Sequence, residues 1–298
     1  MNIETANFLS SHGDLRIDAR FKDITTIRIG GKIDYLVSPY DVERLLLILR
    51  YLREKDIPFK ILGRGSNLLC GEADYEGCVI RLDHINEYSF DKDSVTVGAG
   101  ASVVRLSKLL ALQGLSGFEF ASGIPGTIGG LIYMNAGAYK SSASEIVKRV
   151  LVLDEERQFW MDKSELDFAY RSSIFQKHPE WIILGGEFNI REGDREEILK
   201  LMADRLKRRQ ETQPLDKPSA GSCFRNPEGD FAWRLIDGVG MRGYQFNGIK
   251  VSEKHPNFIV NMGSATANDF LITSNLIQSK VKEVYGVDLR REVECFNC

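Results

Sequence analysis

Residues 122–130 read SGIPGTIGG, a run with four glycines in nine positions and almost no side-chain bulk. Glycine is costly in conformational entropy, so such a run implies that bare backbone must approach something closely. A second run, GRGSN at 63–67, follows the short apolar segment FKIL (59–62). That places it at the carboxyl end of a strand, where open α/β sheets bind ligands. Neither run matches G-x-G-x-x-G or the Walker pattern, so neither a Rossmann site nor a P-loop is claimed. One such loop reads as readily as a tight turn. Two of them, carrying Ser66, Asn67 and Thr127, can present N–H groups as an anion nest, and a pyrophosphate held by both accounts for the pair.

Working outward, residues 35–69 pattern as strand, helix, strand, with Leu45, Leu46, Leu49 and Leu52 on one helical face. Short alternating segments follow, CVIRL (78–82), EYSF (87–90) and SVTVGAG (94–100), and then a helix within 102–115. Residues 149–166 read as a strand pair turning near Glu155, and 180–190 as a further strand. The segment 194–214 has helical spacing and stops at Pro214. Beyond it lie a strand at 257–263 and a helix whose start, Ala265–Asn268, offers a capping side chain before Asp269. The expected class is α+β in three parts, 1–72, 73–205 and 206–298, without internal repeats.

Composition bounds the function. The chain has 298 residues, 43% hydrophobic and 27% charged, with a net charge of −3. These values suit a globular protein and give no electrostatic footprint for nucleic acid. The first residues lack a signal-peptide architecture and no 18-residue apolar stretch exists, so a cytoplasmic protein without membrane insertion is expected. Five cysteines form no paired framework, which suits a reducing compartment. CFNC at 295–298 has metal-like spacing but no second Cys or His pair, so no metal is expected.

Seven segments in order carry a resemblance: TTIRIGGK (25–32), ILGRGSNLL (61–69), GFEFASGIPGTIGGLIYMNAGAY (117–139), YRSSIF (170–175), GSCFRNP (221–227), VSEKHPNFIVN (251–261) and REVE (291–294). Together they resemble the signatures of the UDP-N-acetylenolpyruvoylglucosamine reductase family. The resemblance implies an FAD-binding domain of the vanillyl-alcohol-oxidase/PCMH type in two subdomains, 1–72 and 73–205, and a C-terminal α+β substrate-binding domain, 206–298. It implies noncovalent FAD cradled by Gly63, Arg64, Gly65, Ser66 and Asn67 and by Gly123, Ile124, Pro125, Gly126, Thr127 and Gly129. Asn135, Gly137 and Ala138 would pack near the flavin. It also implies NADPH as hydride donor, a UDP-sugar substrate and a role in peptidoglycan precursor synthesis, for a monomer.

The implied reaction delivers hydride, by way of the flavin, to carbon 3 of an enolpyruvyl ether. An enol ether is not electrophilic, so its carboxylate must accept charge and the protein must supply positive charge or strong donors there. Arg171 suits this, because a guanidinium matches a carboxylate bidentately. Ser222 is the implied proton donor to carbon 2. Alternation along an extended segment points its neighbour Cys223 the other way. Glu292 is the implied catalytic glutamate, and a nearby anion favours its protonated, donating form. The resemblance, rather than the chemistry, picks it over Glu294. Tyr170, Arg225, Asn226, Lys254 and His255 fall at substrate-contact positions. The compact stretch between Tyr170 and Ser222 resembles the subtype without a tyrosine-bearing lid, and the ending EVECFNC departs from the family's EVRIIG. Two other readings stand: an FAD-dependent oxidase of the same fold acting on an alcohol or sugar, and a non-catalytic nucleotide-sugar binding protein.

Overall fold

The computed structural model describes residues 2–298, and the chain divides into two compact units. The first takes in the chain through Ile17, Tyr35–Arg64 and Glu76–Lys207, and the second Asp18–Asp34, Gly65–Tyr75 and Arg208–Cys298.

In the first unit the helix Val42–Glu54 begins where the Asp41 carboxylate accepts the Arg44 N–H at 2.8 Å. It buries Leu45, Ile48, Leu49 and Leu52, the i, i+3, i+4, i+7 stripe of an amphipathic helix. Leu46 lies at the edge of that stripe and is half-buried. The strand Phe59–Ile61 pairs in parallel with Tyr75–Ile80, in a sheet ordered Gly13–Arg20, Lys32–Pro39, Tyr75–Ile80, Phe59–Ile61. The glycine turn at Gly63 leaves the end of this edge strand.

A second, antiparallel sheet has the order Arg157–Asp162, Val147–Asp154, Ile182–Asn189, Ser94–Gly98, Tyr88–Phe90. Its hairpin turns over Glu155, in the left-handed region at φ 50°, as the sequence suggests. Residues 182–188 are buried throughout, and Glu187 is a carboxylate in that layer. It accepts from Lys148 Nζ at 2.8 Å, Ser94 Oγ at 3.0 Å and Arg149 Nε. The Lys148 ammonium, more than the Arg149 and Ser94 contacts, holds its pKa down at about 2 despite burial.

The second unit contains an antiparallel sheet ordered Ser219–Ser222, Phe258–Asn261, Ile249–Val251, Gln245–Phe246. The helix Ala267–Tyr285 starts in a capping box: Thr266 accepts the Asp269 N–H while Asp269 accepts the Thr266 N–H. Gly286 ends it at φ 69°. This helix buries Phe270, Ile277 and Val281 alongside Ala232, Leu235 and Ile236 of the helix Ala232–Gly238. Strand Glu294–Phe296 runs parallel to Leu68–Cys70. Among the described residues no helix is long and apolar enough to cross a membrane.

Candidate active site

In the first unit the two glycine runs meet. A Cβ on Gly63 would fall 2.8 Å from Thr127 Oγ1, so glycine at 63 is what lets the turns close on each other. The main-chain N–H groups of Gly63 and Arg64 make no backbone hydrogen bond among the described residues. In the second run the N–H groups of Ile124, Gly126, Ile128 and Gly129 are committed internally, to the carbonyls of Ala121, Ile124, Ala101 and Ala99. Gly129 lies inside the short helix Ile128–Tyr133, where a Cβ would come 3.2 Å from that of Ala99. Its bareness therefore serves packing, while Gly123 and Thr127 donate no backbone hydrogen bond among the described residues.

The segments around residues 135–140 and 167–171 gather five residues with left-handed backbone. Asn135, Tyr139, Lys140, Asp167 and Arg171 all take left-handed φ values between 40° and 65°. Side-chain ties hold them. Asn135 donates through Nδ2 to Ala169 O at 2.8 Å and accepts the Ser144 N–H at 2.9 Å. Ser173 and Gln176 both donate to Tyr133 O, and Gln176 also donates to Arg171 O. Arg171 Nη2 reaches Gly137 O at 3.0 Å, with its guanidinium 5.2 Å from the Tyr170 ring centroid. The sequence-expected residues Asn135, Gly137, Tyr170 and Arg171 are thus one cluster, and strained residues gather at functional sites.

The second unit assembles the remaining candidates. Gly65, at φ 57°, packs against Ile24 and Thr25 and accepts the Thr26 N–H at 3.2 Å; Thr26 Oγ1 donates to Ser219 O at 2.7 Å. Asn67 Nδ2 donates to Glu292 O at 3.0 Å, and Glu292 N donates to Cys223 O at 2.8 Å. One hydrogen-bonded chain therefore joins Asn67, Glu292 and the residue after Ser222. Glu292 precedes the strand Glu294–Phe296 rather than lying on it, so strand alternation does not pair it with Glu294. Ser222 ends its strand opposite Phe258, half-exposed, whereas Cys223 is fully buried and burial pushes its thiol pKa up.

Arg225 donates its N–H to Arg290 O at 2.9 Å, and its Nε is buried with no hydrogen-bond partner among the described residues. Asn226 Oδ1 accepts the Ala232 N–H at 3.0 Å. Lys254 Nζ donates to Gln210 O at 2.6 Å. His255 is mostly buried with Nδ1 unpartnered, and burial lowers its pKa, so the ring is neutral at pH 7.

Sequence reasoning passed over the residues that hold these in place. Asn257, 3% exposed, binds both the N–H and the O of Phe224 through its side chain. Ser252 Oγ accepts the N–H groups of Lys254 and His255, and Thr26 ties Gly65 to Ser219. All three lie inside quoted signatures, but a polar side chain that binds only backbone leaves no charge or metal-like pattern to notice.

Fold and family matches together define a class, an FAD-binding flavoprotein of mixed helices and strands with a C-terminal domain of its own. Residues 33–157 match the FAD binding domain family, and residues 213–296 match the family described as UDP-N-acetylenolpyruvoylglucosamine reductase, C-terminal domain. A UDP-N-acetylenolpyruvoylglucosamine reductase of Anoxybacillus flavithermus is 41% identical over 284 residues, 95% of this chain and 94% of that one. One from Caldanaerobacter subterraneus is 43% identical over 283 residues, covering 95% and 93%. The crystal structure of the reductase from Thermus caldophilus matches with a TM-score of 0.79 at 32% identity, covering 95% of this chain and all of that one. The chain belongs to the UDP-N-acetylenolpyruvoylglucosamine reductase family.

Proposed function

We propose that this protein reduces UDP-N-acetylenolpyruvoylglucosamine to UDP-N-acetylmuramate with NADPH, as a cytoplasmic monomer without nucleic-acid or membrane partners, supplying peptidoglycan synthesis. Beyond family membership, the observation that carries this reading is the hydrogen-bonded chain from Asn67 through Glu292 to Cys223, which holds the Ser222 segment and the glutamate in one network.

The residues present fit FAD. Gly63 closes on Thr127 only because it lacks a Cβ, and the turn offers uncommitted N–H groups of the kind that bind phosphate oxygens. In this reading Gly63–Asn67, Gly123–Thr127 and Gly129 hold the pyrophosphate or pack behind it, and Asn135, Gly137 and Ala138 face the ring system. When bound, FAD supplies a two-electron carrier between NADPH and carbon 3 of the enolpyruvyl group. Residues 1–72 and 73–205 are the FAD-binding subdomains, and 206–298 the substrate domain.

Arg171 orients the substrate carboxylate and stabilises the charge that develops on it as hydride arrives. Ser222 then gives its hydroxyl proton to carbon 2, and Glu292 donates a hydrogen bond to the charge-bearing group. Tyr170, Arg225, Asn226, Lys254 and neutral His255 bind the remainder of the substrate, in the subtype without a tyrosine lid. Atoms balance: one hydride from NADPH and one proton saturate the double bond and leave NADP⁺.

The test is NADPH oxidation by the purified yellow protein with and without UDP-N-acetylenolpyruvoylglucosamine. Substrate-dependent oxidation with a product heavier by two hydrogens is expected. Substrate-independent oxidation that forms peroxide would instead favour the alcohol or sugar oxidase. Acid precipitation should release all flavin into the supernatant, since Cys70, the cysteine nearest the first glycine run, is fully buried.

A further inference from the structure

Cys295 and Cys298 are exposed, whereas Cys70, Cys78 and Cys223 are buried. The C-x-x-C spacing of the exposed two becomes a spatial pair because the backbone doubles back between them. Strand Glu294–Phe296 runs alongside Leu68–Cys70 with Cys295 opposite Leu69. Phe296 turns its ring towards Phe21 and Tyr75, at 5.6 and 5.1 Å between centroids, so strand alternation sends the Cys295 side chain out through the other face. Asn297 then takes left-handed backbone at φ 53°, and its side chain donates to Ala73 O at 2.9 Å. Its carbonyl lies over Gly71, where any Cβ would collide with it. This reversal returns Cys298 to the residue that Cys295 faces: Cys298 Sγ donates to Leu69 O at 3.5 Å, and the two thiols interact side chain to side chain.

We infer that Cys295 and Cys298 form a dithiol that a low-molecular-weight disulfide oxidises reversibly to an intramolecular disulfide. The inference stands independently of the reductase reading. The two thiols play different parts. Cys298 Sγ lies 3.5 Å from both Leu69 O and Phe296 O, which hold its proton. Burial, followed by the neighbouring Cys295, pushes its pKa up to about 11, so it is a poor first nucleophile at neutral pH. Cys295, exposed on its strand, is the attacking thiol. Its thiolate displaces one thiolate from the oxidant and leaves a mixed disulfide on Cys295. The Cys298 thiol then gives its proton to solvent, attacks the Cys295 sulfur and expels the second thiolate. Two protein thiols are oxidised, and one small disulfide is reduced to two thiols. In a reducing compartment such a pair rests as the dithiol and closes when the small-molecule pool turns oxidising.

The test is incubation of the FAD-loaded protein with glutathione disulfide at mildly alkaline pH, read by intact mass and by peptide mapping after alkylation of the remaining thiols. The parent should lose two hydrogens, with the bond mapped to Cys295 and Cys298, and regain them on reduction with dithiothreitol. Cys298→Ser should stop at one glutathione on Cys295. Cys295→Ser should take up glutathione on Cys298 roughly tenfold more slowly, the net of a scarcer but more nucleophilic thiolate. Both variants exchange an exposed thiol for a hydroxyl, so folding should be intact. An unchanged parent mass, a persistent glutathione adduct on the parent, a cross-linked dimer or a bond to Cys70 would each overturn the pair. Equal labelling rates in the two single variants would overturn the order of attack.

Discussion

The strained cluster of the first unit and the serine strand of the second solve different positioning problems. Around Arg171 five non-glycine residues adopt left-handed backbone, each costing about 1–3 kcal/mol, and side-chain bonds from Asn135, Ser173 and Gln176 hold the strain in place. Along the strand Ser219–Ser222 itself the one left-handed position is a glycine, Gly221 at φ 79°, and ordinary backbone bonds carry the load. The difference teaches what each group needs. A guanidinium on a long, flexible stem must be aimed by an over-determined loop, whereas a hydroxyl one atom from the backbone is placed by the strand itself.

The largest expected effect breaks the second unit's side of this comparison. Ser222→Ala removes a single oxygen from a half-exposed position, so folding should be intact. Turnover with substrate should fall by ~10²–10⁴-fold, the usual contribution of a positioned general acid. Next comes Arg171→Lys, which retains the charge and loses the planar fork. Substrate-driven flavin reoxidation should slow by roughly 10- to 100-fold, read by stopped-flow, with flavin reduction by NADPH much less affected. Equal slowing of both halves would contradict the assignment of Arg171 to the substrate carboxylate.

Asn135 sharpens the comparison in stability. Asn135→Ala loses two buried ties and keeps the left-handed backbone, so it should cost about 2–4 kcal/mol in chemical denaturation. Asn135→Gly relieves the backbone and should cost about 1 kcal/mol less. If the two variants were equally stable, φ strain at this position would carry no weight.

The smallest effect separates the scaffold from the site. Glu187 has a folded pKa of about 2 against an ordinary 4.5, a lowered value, so its contribution is fully present above about pH 4.5 and is lost as pH falls towards 2. Glu187→Gln should therefore lower stability at neutral pH by about 1–3 kcal/mol and flatten the acid limb of the stability profile. A profile with an unchanged acid limb would show that the Lys148 and Arg149 contacts contribute nothing to folding.

Much of this was legible in the sequence because it is local. The stripe of Leu45, Leu49 and Leu52, the turn at Glu155 and the cap before Asp269 each depend on residues within one or two turns of each other. The glycine runs were legible as close-approach backbone. Which of their glycines serve packing was not, since Gly129 is required by Ala99, thirty positions away. The helix Ile3–His12 and the two-residue strands Gly137–Ala138 and Ser141–Ser142 carry too little periodicity to read. Glu292 is singled out by motif alone, because its N–H bonds Cys223 O and that of Glu294 bonds Asn67 O, both partners distant in sequence.

The most direct test of the assigned roles resolves the two half-reactions in single-turnover stopped-flow for Ser222→Ala and Cys223→Ala. Ser222→Ala should reduce its flavin with NADPH at near the parent rate and lose substrate-driven reoxidation by ~10²–10⁴-fold, while Cys223→Ala reoxidises within a few-fold of the parent. If Cys223→Ala is the crippled variant and Ser222→Ala reoxidises normally, the proton donor has been misplaced and the reading of the GSCFRNP segment fails.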